Sequence, residues 1–177
     1  MKTLIISLKT LLFFTILTGI LYTLLITGIA QVVYPVKANG SLVRKNNVVI
    51  GSELIGQQFD NPRYFASRPS AVTYNPFPSG GTNYGWTSAK LKKLVDERRQ
   101  QFLLSNDLAQ DVDVPSEMLF ASASGLDPHI SKKSALLQAD RVANVRNFDG
   151  RQKQEMLNFI DDRVNVFLLN LKIDSIK

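Results

Sequence analysis

Thr10-Leu11-Leu12-Phe13-Phe14-Thr15-Ile16-Leu17-Thr18-Gly19-Ile20-Leu21-Tyr22-Thr23-Leu24-Leu25-Ile26-Thr27-Gly28-Ile29-Ala30-Gln31-Val32-Val33-Tyr34-Pro35-Val36 contains no charged residue. A helix rises about 1.5 Å per residue, so roughly 20 apolar residues cross a ~30 Å hydrocarbon layer, and this run is long enough. Lys2 and Lys9 flank one end; Tyr34, Pro35 and Lys37 supply an interfacial aromatic, a helix stop and a charge at the other. Residues 1–36 therefore read as a membrane anchor with one transmembrane helix over about residues 10–33. Residues 37–177 read as a single soluble domain. Gly28-Ile29-Ala30 would suit signal cleavage, but a signal core spans only about 7–15 apolar residues, so a retained helix is expected.

Within the anchor, Thr15, Gly19, Thr23 and Thr27 are small or weakly polar. Such positions allow close approach of a second membrane helix, although Thr can instead bond back to its own helix. Lysines and arginines are nearly balanced across the span, so charge does not orient it. The short segment ahead of the helix favours a cytoplasmic N-terminus and an extracytoplasmic C-terminal domain.

Outside the anchor, enough of the 177 residues remain to bury one core. The net charge of +6 is spread among interleaved acids. That pattern describes a solvated basic surface and not a nucleic-acid footprint. The absence of cysteine excludes disulfides, thiolate metal sites and cysteine nucleophiles.

Ser41-Leu42-Val43 and Val48-Val49-Ile50 flank Arg44-Lys45-Asn46-Asn47, which predicts a β-hairpin. Residues 60–86 hold four prolines, three glycines and six aromatics. So long an irregular stretch is expected to pack on itself or to bind something, and its aromatics argue against disorder. Three helices are predicted beyond it. One is capped by Thr87 or Ser88 and carries Leu91, Leu94, Val95 and Phe102. One is capped by Ser131. One starts at Asp149, with Gln152 completing a capping box and Met156, Ile160, Val164, Phe167 and Leu171 as its apolar stripe. Residues 114–121 read as extended. Strands first and helices later give an α+β fold.

Three motifs have chemical potential. Ser79-Gly80-Gly81-Thr82-Asn83 has the glycines and hydroxyls of a phosphate-cradling loop but lacks the Lys-Ser/Thr of a Walker loop; a glycine-permitted turn is the simpler reading. Asp127-Pro128-His129 precedes Ser131 and contains the only histidine, so no histidine-pair metal site exists. Asp127 and His129 suit acid–base work only beside a nucleophile; a turn in which Asp127 holds backbone N–H groups is favoured. Arg68 and Ser70, after Tyr64-Phe65, either clamp an anion or tie down the long loop, with the second preferred.

Taken in order, the apolar helix, Gly51-Ser52-Glu53-Leu54-Ile55-Gly56-Gln57, Tyr64-Phe65-Ala66-Ser67-Arg68-Pro69-Ser70-Ala71, Ser79-Gly80-Gly81-Thr82-Asn83 and Ser124-Gly125-Leu126-Asp127-Pro128-His129-Ile130-Ser131, with Gln138, Arg141-Val142-Ala143 and Arg146 downstream, resemble the C subunit of the Kdp high-affinity potassium-transporting P-type ATPase. Thr82 stands where the family commonly has Ser. Tyr84-Gly85-Trp86-Thr87-Ser88 stands where it often reads Leu-Gly-Pro-Thr-Asn. The resemblance implies a non-catalytic, single-span subunit of the bacterial inner membrane. Its implied partners are a potassium-channel-like subunit, a P-type ATPase subunit and the lipid bilayer, with potassium as the ion carried by the complex. It implies a role in assembly and as a catalytic chaperone that raises the ATP affinity of the ATPase subunit. Arg68, Ser70, Asp127, His129, Ser131, Gln138 and Arg141 become family-motif and interface candidates. The family's Ser-Gly-Gly segment is likened to the ABC signature Leu-Ser-Gly-Gly-Gln, here with Pro78 and Thr82 at its ends. This makes residues 79–83 an alternative nucleotide site, with no cofactor of the chain's own and ATP reached only through the complex. An extracytoplasmic domain and direct contact with cytoplasmic ATP exclude one another, and topology is given precedence.

Overall fold

A computed structural model describes residues 2–176. The backbone forms two compact units that divide between Ser52 and Glu53.

The first unit contains the apolar helix Lys2–Val33, long and apolar enough to cross a membrane. It comprises α1 (Lys2–Phe14), a π-helical segment (Thr15–Tyr22) and α2 (Thr23–Val33), none of which buries a residue. The π-segment widens the helix where threonines compete for its carbonyls. The Thr18 hydroxyl donates to the Phe14 carbonyl at 2.7 Å and that of Thr23 to Gly19 at 2.6 Å. After the one-turn helix α3 (Pro35–Ala38), the predicted hairpin is present as β1 (Leu42–Lys45) and β2 (Val48–Ser52). Asn46 and Asn47 both have positive φ (51° and 64°), the tight two-residue turn that asparagine tolerates. The register shifts between Val43 and Arg44.

The second unit is α+β, as the sequence predicts. Helix α4 (Ala89–Ser105) is capped by the Ser88 hydroxyl, α5 (Lys132–Arg146) by Ser131, and α6 (Gly150–Asn158) by the Asp149–Gln152 capping box. Two expectations need correction. The stripe from Met156 to Leu171 does not lie on one helix. The chain leaves α6, forms β4 (Arg163–Asn165) and re-enters a helix as α7 (Val166–Ile173). Asp161 and Asp162 oppose the negative end of α6. Beyond them, Arg163-Val164-Asn165 pairs antiparallel with β3 (His129–Ser131), Val164 opposite Ile130, and Asn165 caps α7. Long-range pairing overrides the local helical period. Residues 114–121, expected to be extended, contain a 3-10 turn at Ser116–Met118; Pro115 is still extended (ψ 140°) and stands as its N-cap, its carbonyl accepting the Met118 N–H at 2.9 Å.

The core lies where α4, α5, α6 and α7 meet around Phe65, Leu103, Val142, Met156, Val166 and Ile173, all fully buried. Phe65 belongs to the long irregular stretch, so its backbone needs buried partners. Asn170 of α7 supplies them: its Oδ1 accepts the Phe65 N–H at 2.8 Å and its Nδ2 donates to the Phe65 carbonyl at 2.9 Å. Gln138 of α5 does the same next door, accepting the Ala66 N–H at 2.7 Å. Arg141 donates to the Pro62 and Tyr64 carbonyls and to Asn106 Oδ1, and Arg146 donates to the Arg63 carbonyl at 2.7 Å. The helices thus treat residues 62–66 as an added strand held by side chains.

Candidate functional site

The loop held by those amides delivers Arg68 to the turn that precedes β3. There, Arg68 Nη1 meets Asp127 Oδ2 at 2.7 Å, with both side chains mostly buried. The other oxygen of Asp127 accepts the backbone N–H of His129 at 3.0 Å, the turn expected of an Asp-Pro-His sequence. Burial raises the Asp127 carboxyl, but the His129 N–H and the Arg68 guanidinium outweigh it and hold the group below the ordinary carboxylate range. Arg68 thus ties the long loop to the turn at residues 122–127, and it does so through a carboxylate, because the chain reversal at Gly125 brings Asp127 within reach. The Arg68 Nε is buried without a hydrogen-bond partner.

His129 Nδ1 lies 3.5 Å from Asp127 Oδ1 and 3.4 Å from Arg163 Nη2. A catalytic relay would set a hydroxyl against this ring. Its recorded neighbours are instead a carboxylate and a guanidinium, which suits a structural or interfacial histidine. Below it, Glu117 accepts the Ser131 and Ser134 hydroxyls and the Ser131 N–H. Burial again raises this carboxyl, and the two hydroxyls and the backbone bonds bring it below its ordinary value. Ser131 therefore caps α5 and anchors the Ser116–Met118 turn together.

Arg68, Asp127, His129 and Arg163 line an open cleft of about 750 Å³ with Leu54, Ile55 and Leu126. On the other side of Arg68, a cavity of about 350 Å³ is bordered by Ser67, Tyr74, Arg98 and Phe102. Tyr74 donates to the Arg68 carbonyl, and burial pushes its hydroxyl up to about 12. Ser70 turns the chain by accepting the Val72 and Tyr74 N–H groups. Among the described residues, no group of three His, Cys, Asp or Glu is placed to hold a metal.

The segment Ser79-Gly80-Gly81-Thr82-Asn83 packs against the turn before Asp127. The Gly80 N–H donates to the Ser124 carbonyl at 2.9 Å, and a Cβ on Gly81 would lie 3.3 Å from the Ala123 carbonyl oxygen. Gly125 has φ +71°, and a Cβ there would lie 2.8 Å from the Gly80 carbonyl oxygen. Glycine therefore lets two backbones touch, and one of the N–H groups a phosphate would need is already in use. Of the seven motif residues, Arg68, Asp127, His129 and Ser131 converge. Ser70 lies on the adjoining turn. Gln138 is fully buried, so it holds the loop and cannot face a partner, and Arg141 serves the same loop. In the anchor, Thr15 begins the π-segment, Thr23 bonds back to Gly19, and Gly19 has open space around it; Thr27 lies on α2. Sequence reasoning missed Glu117, Arg163 and Asn170. Only Asn170, a lone amide amid the apolar residues of α7, left a visible signal.

The sequence pattern of KdpC, described as K+-transporting ATPase, c chain, matches residues 4–175. The chain belongs to the KdpC family. It is 44% identical over 175 residues to a potassium-transporting ATPase KdpC subunit of Allorhizobium ampelinum, covering 92% of this chain and 90% of that protein. A protein of the same description from Methylococcus capsulatus is 42% identical over 188 residues (97% and 96% covered), and one from Caldanaerobacter subterraneus is 38% identical over 177 residues (94% and 92%). KdpC membership covers the helix and the folded unit alike, so both belong to the family's design.

Proposed function

We propose that this chain is the non-catalytic accessory subunit of an ATP-driven potassium importer of the bacterial inner membrane. In this reading the apolar helix packs beside a channel-like subunit and a P-type ATPase subunit, and the folded unit lies on the extracytoplasmic side. The family match over residues 4–175, spanning the helix and the Arg68–Asp127 cleft, carries this reading. Its contribution is assembly of the complex and a raised apparent ATP affinity of the ATPase subunit, the behaviour of a catalytic chaperone. The cleft supports docking more than chemistry. Arg68, His129 and Arg163 offer donors beside Leu54, Ile55 and Leu126, a mixture suited to an acidic and apolar protein segment.

The experiment compares ATP-driven potassium uptake and the KM for ATP in complexes containing the full chain or a chain lacking residues 1–36. Loss of assembly and a raised KM are expected on deletion; undiminished uptake refutes the reading. Direct nucleotide contact through residues 79–83 is the rival. Saturable ATP binding to the full chain in detergent, abolished by Gly80→Val, would establish it.

A further inference from the structure

The loop that packs through Gly80 and Gly81 against the turn before Asp127 carries two aromatics that are almost fully exposed. Phe77 is 84% exposed and Trp86 is 94% exposed. Isolated exposed apolar residues are ordinary on a protein surface. Here their surroundings are not ordinary, for three reasons. The loop is held stiffly: Phe77 N–H donates to Asn75 Oδ1 at 3.0 Å, Gly80 N–H to the Ser124 carbonyl, and Ser88 N–H to the Gly85 carbonyl at 2.9 Å. Helix α4 then opens with Lys90, Lys92 and Lys93, all exposed, and no acid in its first turn. Cations at a helix N-terminus oppose the helix dipole, so helix stability does not account for them. Finally, the same chain carries a helix long and apolar enough to span a bilayer, so the tethered loop meets a lipid surface at a raised effective concentration.

Tryptophan, phenylalanine and lysine together are the composition of a bilayer interface, the rings at headgroup depth and the ammonium groups among anionic headgroups. We propose that the tip of this loop, with Phe77, Trp86 and the lysines that open α4, docks on the anionic lipid surface. The chain thereby meets the bilayer at a second place besides the membrane helix. Lys93 pairs with Glu97 at 3.8 Å and the Lys90 ammonium lies over the Tyr84 ring at 5.2 Å, so both stay at the surface beside the exposed Lys92. This proposal is independent of the accessory-subunit reading, because it concerns lipid and not the transport partners.

Trp86 is the chain's only tryptophan and reports its own surroundings. The full chain is placed in nanodiscs of phosphatidylcholine with or without phosphatidylglycerol. Trp86 emission is read together with quenching by brominated acyl chains and by iodide. A blue shift and bromolipid quenching in the anionic discs support the proposal. Replacing Lys92 and Lys93 by Gln should weaken the lipid-bound population by roughly fivefold per lysine. Phe77→Ser, a change at an exposed position, should weaken it with the fold intact. Water-like emission open to iodide in anionic discs overturns the proposal. So does a blue shift without bromolipid quenching, or lipid quenching that disappears once the transport subunits are bound, since the loop would then dock on protein.

Discussion

Replacing Asn170 by Leu tests whether the long loop is held by buried amides. Leu matches Asn in branching and exceeds it in volume, so the change opens no cavity; it removes both partners of the Phe65 peptide groups at 2.8 and 2.9 Å. Asn170 is 2% exposed and Phe65 0%, so water cannot replace them. Each orphaned buried group costs about 1–3 kcal/mol, so the pair costs roughly 2–6 kcal/mol. A domain of this length loses roughly 3–5 °C of Tm per kcal/mol, so a fall on the order of 10 °C or more is expected. The assay is thermal unfolding of the full chain in detergent, paired with hydrogen exchange over residues 62–66. Phe65→Ala is the control. It costs about 3–5 kcal/mol by leaving a cavity but keeps both bonds to Asn170, so the residue 65 amide stays protected below the melting transition. An Asn170→Leu chain with parental Tm and a protected residue 65 amide would refute the account of how this loop is fixed.

Four further outcomes follow from the same geometry. Asp127 has a depressed folded-state value, so its contribution to stability is complete above its ordinary 3.8 and is lost as pH falls through the lowered value. Acid unfolding of Asp127→Asn, followed by fluorescence, should therefore be shallower than the parent's below pH 3.8 while stability is lower at neutral pH. Gly125→Ala places a Cβ 2.6 Å from Val72 Cγ2 at φ +71° and should cost more than the about 1–2 kcal/mol of left-handed strain alone. Gly80→Ala meets nothing within 4 Å and should change unfolding free energy by no more than about 0.5 kcal/mol, which makes it a clean functional probe. Gly19→Leu, also in open space, should leave the folded unit's Tm unchanged but lower recovery of the chain in pull-downs of the transport subunits if that face is a helix contact.

Much of the molecule was legible where the physics is local. The span follows from the length of an uncharged run. The hairpin follows from paired asparagines, and three helix starts from Ser88, Ser131 and Asp149, because a cap is a contact between residues three apart. What escaped is non-local. Nothing within residues 150–173 says that Arg163-Val164-Asn165 will prefer the ladder offered by His129-Ile130-Ser131 to its own helical period. Glu117 likewise gains its role only once Ser131 and Ser134 arrive from the next helix.

The motif residues repay the same distinction. Gln138, Arg141 and Arg146 stand out in sequence as a polar set on one helix and invite a surface role, yet they point inward and bind the carbonyls and amides of residues 62–66. Asn170 completes that set from α7. Their combined effect is to give an irregular segment the rigidity of a strand without a neighbouring strand to pair with. That rigidity is what places Arg68 against Asp127 and fixes the mouth of the cleft. A partner docking in the cleft as proposed would find its donors already oriented and would not have to order a loop, which removes part of the entropic cost of association. Gln138, Arg141, Arg146 and Asn170 are thus better read as the scaffold of the proposed docking surface than as the surface itself.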